Sequence, residues 1–271
     1  MTPDKKLVNI KDVDTSEEDL DFETQCLVQL KNTIKRSNDP LLLTVLDNDA
    51  FLNAFLVGRK FNVCRTFETV KGYLITKHVK QTKIFRMKPH SVRHVLESGF
   101  IGLLKNRDHL GRVIGFVRCT KLDLKTMECA DIARAVILLG ESLWENVDDM
   151  MRNGQVGILD YSGYNFSVMT RYSFSDKLTF LNIFLHNYPM MIKNVHGINN
   201  PRIVQYALSL LRPFIPKKIK DRFLMHGSNY SGLHEHISPK ILPTWLGGEL
   251  SDEDAIDTKL IQRIITQDDG S

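Results

Sequence analysis

The chain has 271 residues, 42% of them hydrophobic and 25% charged, with a mild net charge of +4. This is the composition of an ordinary soluble protein, long enough for one large domain or two smaller ones with a real core. It gives no ground for a general nucleic-acid role, and no apolar run approaches membrane-spanning length.

Thr15-x-x-Glu18, with Ser16 beside it, is a capping-box signal, so a helix should follow with Phe22, Leu27, Leu30 and Ile34 as its apolar positions. Asn38-Asp39-Pro40 breaks it. Asp47, Asn48 and Asp49 are suited to cap a second helix carrying Phe51, Leu52, Phe55 and Leu56, with Gly58 as its stop. A third should turn Phe67, Val70 and Leu74 inward. Residues 15–88 therefore read as an all-helical unit, ending near Lys88-Pro89-His90.

The style then changes. Asp108-His109-Leu110-Gly111 is turn chemistry, and Val113-Ile114-Gly115-Phe116-Val117 is a short strand. A long helix is expected over 127–147, a strand over 156–159, a helix over 175–187 and a strand over 190–195. Residues 198–222 hold a helix fenced by Pro201 and by Pro213 and Pro216, followed by Lys217, Lys218, Lys220 and Arg222. Its Ile203, Ala207 and Leu210 form one apolar ridge, and Val204, Leu208 and Leu211 a second. Read alone, it is a core helix with a solvated sequel, or a cover between a greasy cavity and a lipid surface. A short strand over 223–225 follows. Strand and helix in alternation argue an α/β fold with a mostly parallel sheet and right-handed crossovers over 89–250. In the tail, 251–271, a helix with Leu260, Ile261, Ile264 and Ile265 is expected to pack back.

Charge is uneven: Glu17, Glu18, Asp19 and Asp21 are acidic early, Asp252, Glu253 and Asp254 late, and the positive excess lies at 217–222. Cys26, Cys64, Cys119 and Cys129 form no C-x-x-C pair and read as free thiols. MTPDKKLVNI lacks a signal-peptide apolar stretch, and Thr2 is not the glycine that myristoylation needs. The expectation is a cytoplasmic protein whose membrane contact is peripheral.

No G-x-x-x-x-G-K-[ST], G-x-G-x-x-G or G-x-S-x-G occurs. His226, His234, Glu235 and His236 cluster, and an H-x-H pair is able to ligate a metal, but loop histidines more often bond backbone. Asp160 ends an apolar strand, where a catalytic acid or a turn-forming carboxylate both fit. Phe166, Phe174, Phe180, Phe184, Tyr188, Met190 and Met191 suit a core, or an apolar ligand pocket.

Further motifs carry a resemblance. They are Tyr188-Pro189, His196, Ile198-Asn199-Asn200-Pro201, Arg212-Pro213-Phe214, His226-Gly227-Ser228-Asn229-Tyr230, the run from Leu233 to Pro243, and Gly247-Gly248-Glu249-Leu250. With Asp49 to Leu56 and Arg59-Lys60-Phe61 as a helical leader, residues 20–250 resemble the CRAL-TRIO family, in its branch of tocopherol and retinaldehyde carriers and clavesins. The resemblance implies a protein without catalytic residues, cofactor or metal. It would be a monomer that binds one small hydrophobic molecule, tocopherol-like or retinoid, and exchanges it at membranes through a mobile gate helix.

Carried over by position, Ile158, Phe180, Ile183, Phe184, Met190, Ile192, Val195, Val204 and Ala207 fall on pocket-lining sites. Lys193, Lys218 and Arg222 fall on a phosphoinositide-binding patch. Met191 and Arg202 depart from the pattern, and bulky Phe180 and Phe184 suit an isoprenoid slimmer than tocopherol. Two other functions stay open: a clavesin-type phosphoinositide module on endosomal membranes, and an enzyme using Asp160 with the histidines of 226–236.

Overall fold

The computed structural model describes residues 17–144, 147 and 151–267. Helices α1 (Glu17–Ser37), α2 (Asp49–Gly58) and α3 (Val63–Ile75) form the leader. The capping-box signal at Thr15 falls outside the described residues. Asn48 caps α2, its Oδ1 accepting the Phe51 N–H at 3.0 Å, and Asn62 caps α3 in the same way, accepting from Arg65 at 2.9 Å. Leu30, Ile34, Leu52, Phe55, Leu56, Val70 and Leu74 are buried as their spacing predicts, whereas Phe22 is 53% exposed. This core does not stop at residue 88. It also contains Ala133, Ile137, Ile183, Phe184 and Tyr188, so the leader and the following unit share one packed interior.

Among the described residues, five strands make one sheet in the order β1 (Ile101–Leu103), β2 (Val113–Arg118), β3 (Gln155–Asp160), β4 (Ile192–Ile198), β5 (Phe223–Met225). β2 to β5 are parallel, and β1 is antiparallel to β2. The fold is α/β, as expected; β1 was not foreseen, because three residues around a glycine carry little strand signal. Helix α4 (Cys129–Glu141) joins β2 to β3, α5 (Phe174–His186) joins β3 to β4, and α6 (Arg202–Leu211) joins β4 to β5. The helix expected over 127–147 thus begins at Cys129; residues 145, 146 and 148–150 fall outside the described part. A last helix, α7 (Thr258–Thr266), packs back through Leu260, Ile261, Ile264 and Ile265. Its approach is fixed by the Asp257 N–H donating to the Leu103 carbonyl at 3.0 Å.

Strand alternation divides the sheet into two faces. On the rear, Ile114, Phe116, Val156, Ile158 and Ile198 share a dense core with Leu233, Ile237, Leu242 and Leu246 of the C-terminal segment. On the front, Val113, Gly115, Val117, Gln155, Gly157 and Leu159 face α4 and α5.

Candidate ligand-binding site

The front face and the two helices enclose a cavity of about 280 Å³. Its floor is Val113, Gly115 and Val117 beside Gln155, Gly157 and Leu159, register partners across β2 and β3. Two glycines side by side leave the floor without side chains at its middle. A Cβ on Gly115 would come no nearer than 3.5 Å to Leu103, and one on Gly157 no nearer than 3.8 Å to Val195. Side chains at both positions thus have room, and would project into the cavity. The roof is Val136, Leu139 and Gly140 of α4 with Phe180, Leu181 and Phe184 of α5. An aromatic row stiffens it: Phe180 to Phe184 at 4.5 Å between centroids, Phe184 to Tyr188 at 5.7 Å, Tyr188 to Trp144 at 5.4 Å. Gly140 admits this row, since a Cβ there would lie 2.7 Å from the Tyr188 hydroxyl. That hydroxyl donates to the Ile137 carbonyl at 3.0 Å.

A larger groove of about 510 Å³ lies between Thr76, Lys80 and Gln81 and the Ser175, Asn182 and His186 side of α5. These polar side chains make it a poorer place to desolvate an apolar molecule than the apolar front cavity.

Of the nine expected pocket positions, Phe180, Phe184, Met190, Ile192 and Val195 line the cavity. Ile158 does not. It alternates onto the rear face and is fully buried there. Ile183 sits on the side of α5 that meets the leader helices. Val204 and Ala207 lie on α6, outside the cavity lining. Among the lining positions missed from sequence are Gly115, Gly157 and Gln155. A glycine inside a strand is the readable signal for a close approach at that point.

Helix α6 has Ile203, Val204, Ala207, Leu208 and Leu211 turned toward the protein, with Val204 buried. Its other side presents Tyr206 and Leu210, at 59% and 47% exposure, with Arg202 exposed at its start. The division differs from the two ridges read in sequence: Leu210 faces out and Leu208 and Leu211 face in. Just before the helix, Asn199 takes a left-handed φ of +51°. Its N–H donates to the Gly227 carbonyl at 2.5 Å, and the Gly227 N–H donates to Asn200 Oδ1 at 3.0 Å. Just after it, Phe214 meets Phe174 edge-on at 5.7 Å. The helix is therefore pinned at both ends and apolar on both sides.

The three expected phosphate-contacting cations come together. Burial lowers the Lys193 ammonium below its ordinary value, and Lys60, Arg222, Arg112 and Lys218 lower it further. Lys218 is lowered by burial, then by Arg222, Lys60, Arg65 and Arg59. Arg222 donates to the Ile192 carbonyl. The leader contributes because its turn is clamped here: Arg59 donates to the Tyr188 carbonyl at 2.8 Å, and a Cβ on Gly58 would lie 2.3 Å from the Pro189 carbonyl oxygen. Met191, the departure from the expected pattern, contributes no charge; Lys60 and Arg65 were not foreseen.

Asp160, the last residue of β3, holds the turn that follows it. Its Oδ1 accepts from the Ser162 N–H and hydroxyl at 3.0 and 2.7 Å and from Asn199 Nδ2 at 2.9 Å. The histidines lie on the rear. His196 Nδ1 and His226 Nε2 are 3.0 Å apart in rings tilted by 11°, and His236 is 5.0 Å from His196 between centroids. Burial and the neighbouring His226 and His236 push His196 down to about 4. His234 points away, its Nε2 at 3.0 Å from the Leu246 carbonyl, so the H-x-H pair is split. Among the described residues, no group of three or more His, Cys, Asp or Glu is arranged to hold a metal ion.

The model of the CRAL/TRIO domain matches residues 97–248, which include the whole sheet and α6. The chain belongs to the CRAL/TRIO family. Clavesin-1 of Rattus norvegicus is 30% identical over 205 residues, 75% of this chain and 58% of that protein. The alpha-tocopherol transfer protein-like protein of Homo sapiens is 30% identical over 227 residues, 84% of this chain and 66% of that one. The chain thus spans less than two thirds of these relatives. The crystal structure of Sfh5 shares the fold, with a TM-score of 0.58 at 15% identity, covering 95% of this chain and 98% of that one. No described helix is long and apolar enough to cross a membrane.

Proposed function

We propose that this CRAL/TRIO chain binds one small hydrophobic molecule, a tocopherol-like or retinoid isoprenoid, in the front cavity, and exchanges it at phosphoinositide-containing membranes. The apolar cavity of about 280 Å³ carries this reading. It is nearly twice the ~150 Å³ void that stays dry and takes up benzene in an engineered protein. Its lining is almost wholly apolar, so a hydrophobic molecule gains by leaving water for it.

Phe180, Phe184, Met190, Ile192 and Val195 are the direct contacts in this proposal, while Ile158 and Ile183 support the walls from behind. Val204 and Ala207 act from the inner side of α6, the gate. The protein works as a monomer without cofactor or metal, in the cytoplasm, with peripheral attachment at endosomal or similar membranes. Chemical catalysis has no part in it. Native mass spectrometry after exposure to retinol, tocopherol and fatty acids tests the core of the reading. One isoprenoid per chain is expected; a spectrum of apo-protein in every case contradicts it.

The convergence of Lys193, Lys218 and Arg222 favours a second reading, a phosphoinositide-binding module of clavesin type in which the cavity's occupant is incidental. Under either reading these cations hold a multiply charged headgroup, each well-formed bond contributing ~1.5–3 kcal/mol. Lys218→Ala with Arg222→Ala is expected to abolish binding to phosphoinositide liposomes while ligand uptake persists. Liposome binding indifferent to phosphoinositide and to salt would remove this part of the account.

A further inference from the structure

Three of the described side chains lining the cavity carry nitrogen or oxygen: Trp144, Gln155 and Tyr188. Tyr188 donates its proton to the Ile137 carbonyl. Gln155 is different. It is only 8% exposed, and its Oε1 is buried with no hydrogen-bond donor among the described residues. A buried carboxamide oxygen without a partner is an uncommon arrangement that calls for a cause. Backbone needs do not supply one, since the Gln155 N–H already donates to the Met191 carbonyl at 2.9 Å.

Its place in the sheet points to a cause. Gln155 opens β3 on the cavity side, in register with Val113 and Ile192, both of which also line the cavity. The β3–β4 register shifts between Gln155 and Val156. Such irregularities re-aim side chains next to functional sites. From Gln155 the cavity floor continues along Gly157 and Leu159 with no further polar side chain. The cavity is thus amphipathic lengthwise: an amide at the start of β3, and apolar floor beyond.

We infer that the Gln155 carboxamide hydrogen-bonds the polar end of the bound molecule, and that this end is a free hydroxyl. The inference rests on the cavity being the ligand site. A hydroxyl both donates and accepts, so it satisfies Oε1 or Nε2 whichever way the amide is turned. An ether, ester or aldehyde oxygen only accepts and leaves Oε1 without a donor; a hydrocarbon satisfies neither atom. Alcohols of the isoprenoid class are therefore preferred over their capped or oxidised counterparts, with the hydroxyl at the start of β3 and the chain along Gly157 and Leu159.

The test is competitive binding of matched ligands to the full chain: retinol against retinal and retinyl methyl ether, and geranylgeraniol against its methyl ether. The alcohols are expected to bind about tenfold tighter or more, the fold-change that one net hydrogen bond of ordinary strength gives. Gln155→Leu should reduce that preference to within about threefold, and a preference unchanged in the folded variant overturns the assignment to Gln155. Equal affinity of the wild-type chain for alcohol and ether overturns the inference, with Gln155 then served by water, and leaves the cavity reading intact. Binding of none of these ligands overturns the cavity reading itself and the inference with it. The wild-type series decides the matter even if the variant fails to fold.

Discussion

The two faces of the central sheet are built from the same strands and end in opposite states. On the rear, Ile114, Val156, Ile158 and Ile198 are fully or almost fully buried against the C-terminal segment. On the front, one residue along in each strand, glycines replace branched side chains at Gly115 and Gly157, and a cavity remains. The rear holds the fold together, and the front gives up packing for space. The contrast teaches that dense packing and open space are divided here by strand parity rather than by domain.

Truncation should break this symmetry most strongly. Ile158→Ala on the rear is expected to cost about 2–5 kcal/mol, because its neighbours cannot close the void. Leu159→Ala, the adjacent residue on the front, should cost less than half as much, since its side chain already borders open space. Denaturant midpoints compare the two; equal losses would mean that the front is as tightly packed as the rear.

Acid should also act on the rear face first. His196 is fully buried and its ordinary value of about 6.5 is pushed down to about 4 in the fold, chiefly by burial, while His226 is lowered in the same direction. The folded state therefore binds fewer protons than the unfolded chain between these values. This stability is complete above pH ~6.5 and is lost as pH falls toward about 4, by on the order of 2–3 kcal/mol. His196→Asn should flatten that part of the stability profile. A slope the same in wild type and variant would show that His196 does not carry it.

The smallest effect concerns the approach to a membrane. Arg202 stands exposed at the start of α6. Near an anionic surface one such charge contributes ~1 kcal/mol. Arg202→Val should slow ligand transfer to anionic vesicles about two- to fivefold and leave transfer to neutral ones unchanged. Transfer that is equally fast or faster to anionic vesicles would remove Arg202 from the docking step.

Much of this architecture was legible in the sequence because it is local. Prolines fence α6, Asn48 caps α2, and apolar runs mark β2 and β3, whereas the strand expected over 190–195 runs Ile192–Ile198. What escaped depends on pairing. The parity that sends Ile158 to the rear and Leu159 to the front is set by which face the C-terminal segment covers, and a continuous apolar run such as Val156 to Leu159 does not declare it. Ile183 was misplaced for the same reason on a helix: α5 is apolar toward both the cavity and the leader. Gly115 and Gly157 become a cavity floor only when β2 and β3 lie in register. Lys60 joins Lys193 only because Gly58 and Arg59 clamp the leader's turn onto Tyr188 and Pro189.

The central claim is that the space above Gly115 and Gly157 holds a hydrophobic ligand. Gly157→Leu tests it most directly, because a Cβ there meets only ordinary contacts and the rest of the side chain must enter the cavity. Native mass spectrometry with an isoprenoid alcohol, beside a thermal melt, is the measurement. The account predicts one bound molecule per wild-type chain, and none in a Gly157→Leu chain that melts at or above the wild-type temperature. A folded Gly157→Leu chain that still carries one ligand would place the binding site elsewhere and contradict the account.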